Sequence, residues 1–316
     1  MRLRMILTAT LVALAAPFLY AEGYAHWASA AYPPQGDHVP TSGGRVHLVE
    51  RGLTRADAPV VVVIHGASGN AREAQISLAP ALAEEARLIL PDRPGHGHSE
   101  RPDTGWQLGV QAQMLAEALR AKGVSRAVVV GHSFGAAVSL RLALDHPDLV
   151  GSLVLLAPAS HPFPKGVVWY NQAASHPVFG PVFARLVPLI GPLQAPAGIA
   201  SVFRPDPVPD GYARELGLAL TFRPRNFRNN ARDIAAAAAE FGAQALRYPE
   251  LTQPVSILSG SKDNVLWPSI HARGIARDVA HAELIKLEGT GHMPHYAELE
   301  TTVAVIRRHI AQLQPQ

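Results

Sequence analysis

The pentapeptide Gly131-His132-Ser133-Phe134-Gly135 constrains this chain more than any other stretch. It follows the apolar run Ala127-Val128-Val129-Val130 and precedes Ala136-Ala137-Val138-Ser139-Leu140-Arg141-Leu142, which reads as a helix. In a strand–turn–helix context, G-x-S-x-G describes a turn too tight for bulk two residues before or after the serine. Gly131 and Gly135 meet that demand. Such a turn lifts the Ser133 hydroxyl above the edge of a sheet. The helix starting beneath it offers unpaired N–H groups that favour developing negative charge.

The remaining pattern supplies the sheet. Val60 to Ile64 is continuously apolar, as a central parallel strand covered on both faces must be. Leu88-Ile89-Leu90, Leu153 to Leu156, Val255 to Leu258 and Glu283 to Leu287 read as further strands, and Arg45 to Glu50 alternates like an edge strand. Between them lie helical spacings: Leu108, Ala112, Leu115 and Leu119 before a stop at Gly123, and Leu299, Val303, Ile306 and Ile310 at the end. Alternating strands and helices predict an α/β fold with a mostly parallel central sheet flanked by helices. From Ser160 to Tyr248 no strand pattern appears, and frequent Pro and Gly separate short helical pieces. That block reads as a helical cap over the strands' C-terminal edge. Its Trp169, Phe179, Phe183, Leu186, Leu189, Ile190, Phe203 and Leu220 are expected mostly to fill the cap's own small core, with some facing an acyl pocket.

A serine hydroxyl becomes nucleophilic at neutral pH only beside a base, and the base needs a third group to fix its tautomer. Both belong on loops after later strands. Gly260-Ser261-Lys262-Asp263 offers Asp263, and Gly289-Thr290-Gly291-His292 offers His292. The order Ser, Asp, His is the one a nucleophile elbow calls for. The other position for the acid, after the strand following the nucleophile helix, holds Ala157-Pro158. Two N–H donors for an oxyanion are expected from Phe134, next to the serine, and from Ala67 in the loop His65-Gly66-Ala67.

Taken together, His65-Gly66, Asp92-Arg93-Pro94-Gly95-His96-Gly97-His98-Ser99, the Ser133 pentapeptide, Asp263 and Gly291-His292 resemble the α/β-hydrolase superfamily from about Arg45 to Leu313. The resemblance implies an α/β-hydrolase fold with Ser133 as nucleophile, Asp263 as acid and His292 as base. It makes Asp92 to Ser99 a structural turn beside the site. The implied function is cleavage of an ester or related acyl bond through an acyl-enzyme. Acyltransferases, lactonases and C–C bond hydrolases share that machinery, and a non-catalytic ligand-binding relative is the reading from another class. Family members that use Asp as nucleophile, the haloalkane dehalogenases and epoxide hydrolases, do not fit Ser133.

Composition narrows the partners. Cysteine is absent, which excludes disulfides and a thiol nucleophile, and the net charge is only +3 without a long basic run, so no nucleic-acid partner is expected. His65, His96, His98, His132 and His295 show no H-E-x-x-H spacing and read as loop histidines. No cofactor and no metal are expected, and the partner is a small-molecule acyl substrate of apolar character. Arg2 and Arg4 ahead of the apolar run Met5 to Ala21 resemble a secretory signal, with Ala28-Ser29-Ala30 or Leu19-Tyr20-Ala21 as cleavage site; an uncleaved membrane anchor fits equally. Either places the protein outside the cytoplasm, in the periplasm or medium or held at the membrane. The expected organisation is residues 1–30 signal or anchor, 31–44 linker, 45–159 and 249–316 core, and 160–248 cap.

Overall fold

The computed structural model describes residues 2–164 and 166–313, with side chains from residue 15 onward. Eight strands form one sheet: β1 (Asp37–Thr41), β2 (Gly44–Gly52), β3 (Val60–Ile64), β4 (Arg87–Pro91), β5 (Ala127–His132), β6 (Val150–Leu156), β7 (Val255–Gly260) and β8 (Glu283–Leu287). Their order is β1-β2-β4-β3-β5-β6-β7-β8. The first two strands run antiparallel to their neighbours, and the six strands β3 through β8 are mutually parallel.

The helices are α1 (Arg2–Ala31), α2 (Arg72–Ile76), α3 (Ala79–Leu82), α4 (Leu108–Ala121), α5 (Phe134–Asp145), α6 (Trp169–Ser175), α7 (Gly180–Phe203), α8 (Tyr212–Glu215), α9 (Pro224–Ala245), α10 (Ala272–Asp278), α11 (Pro294–Ala297) and α12 (Leu299–Leu313). Strand residues alternate between two cores, as the twofold period of a strand requires. Val62, Ile64, Val129, Leu153 and Ile257 pack with α4, α5 and α10. Val61, Val63, Val128, Val130, Val154 and Leu258 pack with α2, α3 and α12. Both faces of the central strands β3, β5 and β6 are therefore covered, which is why residues 60–64, 127–130 and 153–156 read as unbroken apolar runs, whereas β8 at the sheet's edge exposes Glu283 and Lys286.

Three differences from the sequence reading have physical causes. Residues 31–44, expected as a linker, contain β1, and Thr41 pairs with Gly44 across a two-residue turn at Ser42-Gly43. Strand β1 is the edge and so tolerates Pro40, while β2, expected at the edge, lies inside. The helical pieces of the insertion are longer than their prolines suggested: α7 runs 24 residues with Pro188, Pro192 and Pro196 inside it. Its large apolar residues do not mostly fill a core. Phe203 and Leu220 are buried, but Trp169, Phe179, Leu186, Leu189 and Ile190 are exposed.

The insertion, α6 to α9, leaves the sheet after β6 and returns at β7, and no strand occurs in it among the described residues. Helix α1 is continuous through both proposed cleavage motifs, and Ala21 and Ala28 are buried. It packs against α7. The side chains of Arg2, Arg4 and residues 5–14, on which the export expectation rests, lie outside the described part.

Candidate active site

Ser133 sits between β5 and α5 with φ +52° and ψ −119°. A non-glycine residue at positive φ is strained, and such strain persists only where packing enforces it. The flanking glycines show what enforces it. A Cβ at Gly135 would lie 2.2 Å from the Ile64 carbonyl oxygen, and one at Gly131 would lie 2.7 Å from the Ala136 Cα. Backbone fills both spaces, so any other residue would push the turn open.

The loops after β7 and β8 bring the other two side chains to Ser133. His292 Nε2 lies 3.0 Å from Ser133 Oγ, and His292 Nδ1 lies 2.8 Å from Asp263 Oδ2. Asp263 Oδ1 accepts the N–H groups of Val265 and Leu266, each at 2.9 Å. That pair fixes the carboxylate and leaves Oδ2 for the histidine. A carboxylate can only accept, so Nδ1 carries a hydrogen and neutral His292 presents a lone pair at Nε2 to the hydroxyl. Asp263 and His292 are buried, while Ser133 keeps 9% exposure.

The loop after β3 approaches the same point. A Cβ at Gly66 would come within 3.1 Å of the Ser133 Cβ, so the chain passes the serine at near contact and carries Ala67 with it. Phe134 is the first residue of α5, and its N–H has no carbonyl one turn back to bond. Its ring is held between Phe241 of α9, at 5.7 Å, and the Arg93 guanidinium, at 4.7 Å.

Asp92, expected in a structural turn, spends both oxygens on the chain around it. Buried, it accepts Ala71 N–H at one oxygen and His98 N–H and His47 Nδ1 at the other, all at 2.7 Å. His65 Nε2 accepts Arg93 N–H at 2.9 Å, so its Nδ1–H donates to the Gly66 carbonyl at 2.8 Å. Burial pushes its pKa down to about 4, which keeps it neutral at pH 7.

Two groupings were not read from the sequence. Glu73, His132 and His295 are buried together, their donor atoms within 4.8 Å of one another, a set with the chemistry to hold a divalent cation. Hydrogen bonding also gives His132 a supporting place: its Nε2–H donates to the His292 carbonyl at 3.1 Å. Burial holds its pKa well below the ordinary value. Glu73 Oε1 lies 3.5 Å from His295 Nε2. No local signal marks the set, because Glu73, His132 and His295 lie on three separate stretches of the chain, the first and last more than 200 residues apart.

The second grouping joins core to insertion. Asp233 of α9 bonds Arg93 at 2.9 Å and Arg101 at 2.6 Å, with all three side chains almost fully buried. Two guanidinium groups share one carboxylate, so removing it leaves two uncompensated buried charges. Asp233→Ala is expected to lower stability by about 3–5 kcal/mol, read as a fall in urea midpoint; an unchanged midpoint would refute this account of the insertion's attachment. Additional ties reach the site loops. Ser68 N–H donates to Asn230 Oδ1 at 2.7 Å, and Gly291 N–H donates to Asp206 Oδ2 at 2.8 Å.

The sheet order, the insertion and the elbow define an α/β hydrolase. The family model for the alpha/beta hydrolase fold matches residues 59–299, and the chain belongs to that family. A relative from Enterobacter cloacae, described as a candidate carbamate hydrolase, is 30% identical over 81% of this chain and 92% of its own length. The magnesium-chelatase 30 kDa subunit of Rhodobacter capsulatus is 31% identical over 76% of this chain and 82% of its own length. Among solved structures, the enol-lactonase from Burkholderia xenovorans superimposes with TM-score 0.68 at 19% identity, covering 87% of this chain and all of the lactonase (100%). The chain is a hydrolase of this fold.

Proposed function

We propose that the chain is a serine hydrolase that cleaves an ester or related acyl bond through an acyl-enzyme. The observation that carries this is the relay Ser133–His292–Asp263, with hydrogen bonds of 3.0 and 2.8 Å and the tautomer fixed from the Asp263 end. His292 takes the Ser133 proton as Oγ attacks the acyl carbon. The Ala67 and Phe134 N–H groups stabilise the oxyanion. His292 returns the proton to the leaving alcohol, and water, deprotonated by His292, then releases the acid and restores Ser133. A lactone suits the same sequence, with the alcohol and acid leaving as one product. Acyl transfer replaces the water by an alcohol.

The insertion acts as a lid. Phe241, Phe203 and Met293 place apolar surface beside the loops that carry the relay, which favours short to medium apolar acyl groups. Each methylene that fits is worth about 0.8 kcal/mol, or up to about fourfold in kcat/KM. Turnover of p-nitrophenyl esters of rising chain length is expected to show an initial burst, and kcat/KM is expected to climb and then fall. Absence of turnover on every ester and on a lactone would count against acyl chemistry.

The N-terminal segment exports the enzyme or tethers it to the membrane. The charge-free run from Met5 to Ala21 supports that reading. Mass spectrometry of the mature N-terminus with cell fractionation decides between cleavage and tethering; an intact N-terminus in the soluble cytoplasmic fraction contradicts both.

A further inference from the structure

Helix α7 carries an apolar stripe that points away from the protein. Val182, Leu186, Leu189, Ile190 and Leu193 are 38–80% exposed. Their spacing of four, three, one and three residues places them within about a third of the helix circumference. Ala184, Val187 and Pro188 occupy the opposite side and are buried. A surface helix of a soluble protein normally turns polar residues outward. Here Arg185 is the only charged residue in 24. By length and composition α7 could cross a bilayer. Its end at Phe203 is nevertheless buried with Tyr212, Leu216 and Met293, so the helix lies along the surface rather than leaving it.

The stripe does not stand alone. Val178, Phe179, Val168, Trp169 and Tyr170 at its start are exposed, as are Phe18, Leu19, Tyr20 and Trp27 on the neighbouring α1. Trp and Tyr beside aliphatic residues are the composition of a membrane–water boundary. A cleft of about 550 Å³ opens between α1, α7 and the start of α9, lined by Arg185, Arg223, Arg225 and Arg228 against the single acid Glu22. Arg185 pairs with Glu22 at 3.6 Å and Arg223 donates to Ser29 Oγ and the Gly97 carbonyl, which leaves Arg225 and Arg228 beside the apolar face to match a layer of lipid phosphates above acyl chains.

We infer that α7, the start of α6 and the exposed side of α1 form one footprint that lies on an anionic bilayer, with the arginine cleft taking lipid headgroup phosphates. The insertion thus faces the membrane, and the opposite edge of the sheet faces water. The inference rests on the tethering reading of the N-terminal segment for its orientation, and adds a second, independent area of contact. An amphipathic contact of this kind draws on both buried apolar area and attraction to anionic lipid.

The absence of cysteine makes the test direct. A single cysteine is introduced in the full chain at exposed Leu193, and in a separate protein at exposed Asp57 before β3, on the far edge of the sheet. Each carries an environment-sensitive fluorophore and is mixed with phosphatidylglycerol–phosphatidylethanolamine vesicles or with phosphatidylcholine vesicles. The footprint predicts a blue shift and brightening at Leu193→Cys, larger on the anionic vesicles, and no change at Asp57→Cys. Arg225→Ala in the Leu193→Cys background is expected to weaken the response on anionic vesicles about fivefold and leave it unchanged on phosphatidylcholine. Sedimentation with vesicles while the Leu193→Cys label stays unchanged would overturn the footprint and leave the tether standing. Failure to sediment at all would overturn both. A response that depends on protein concentration and needs no vesicles would assign the face to a second copy of this chain instead. Equal responses on both vesicle types would overturn the headgroup role of the arginines.

Discussion

Replacing Ser133 with alanine is expected to lower kcat about 10³-fold or more while the protein stays folded. Units of nucleophile and base lose nearly all their advantage when either is removed. The substitution is sterically mild, because alanine is smaller than serine and the turn is enforced by Gly131 and Gly135 rather than by the hydroxyl. Oγ makes one hydrogen bond in the site, to His292. Stability should therefore stay close to wild type and KM should change little. What remains of the rate would come from the oxyanion donors and binding. Ester turnover at wild-type rate by purified Ser133→Ala protein would remove the serine from the mechanism.

Asp263→Asn is expected to cost on the order of 10⁴-fold, by the same tautomer logic that governs such relays elsewhere. The geometry here makes the sign firm. Val265 and Leu266 both aim N–H groups at Oδ1. An asparagine therefore keeps its carbonyl oxygen toward them and turns its NH₂ toward His292 Nδ1. That nitrogen must then accept, and the hydrogen moves to Nε2, where it faces the Ser133 hydroxyl instead of a lone pair. The variant should fold, since the two backbone bonds survive. A loss of less than about threefold would place the acid elsewhere.

The parts of the fold that sequence made legible are those where local chemistry decides. Parallel strands buried on two faces have to be largely apolar, and β3 throughout, residues 127–130 of β5 and residues 153–156 of β6 are. The elbow demands small residues at two positions, and the contacts at Gly131 and Gly135 show why. Asp263 and His292 were found by chain order and loop position alone, and the structure brings both to Ser133. Strand β1 escaped because its sequence, Asp-His-Val-Pro-Thr, carries little apolar pattern; it is held by pairing to β2, a nonlocal property. The Asp233 and Glu73 groupings escaped for the same reason. Arg93 and Asp233 are 140 residues apart, and nothing local to α9 marks Asp233 as an inward-facing charge. The apolar stripe of α7 reads from sequence as core because apolar residues in a helix usually face inward, and the sequence alone does not say which side the protein occupies; in the structure Leu186, Leu189 and Ile190 face outward.

The serine assignment itself is tested most directly by a fluorophosphonate probe followed by peptide mass spectrometry. The probe reacts only with a serine activated by a correctly placed base. The account predicts a single adduct on the peptide bearing Ser133, formed at full yield in the wild type and lost in Ser133→Ala and His292→Ala proteins. An adduct on another residue, or an unreactive Ser133 in a protein that still turns over esters, would contradict it.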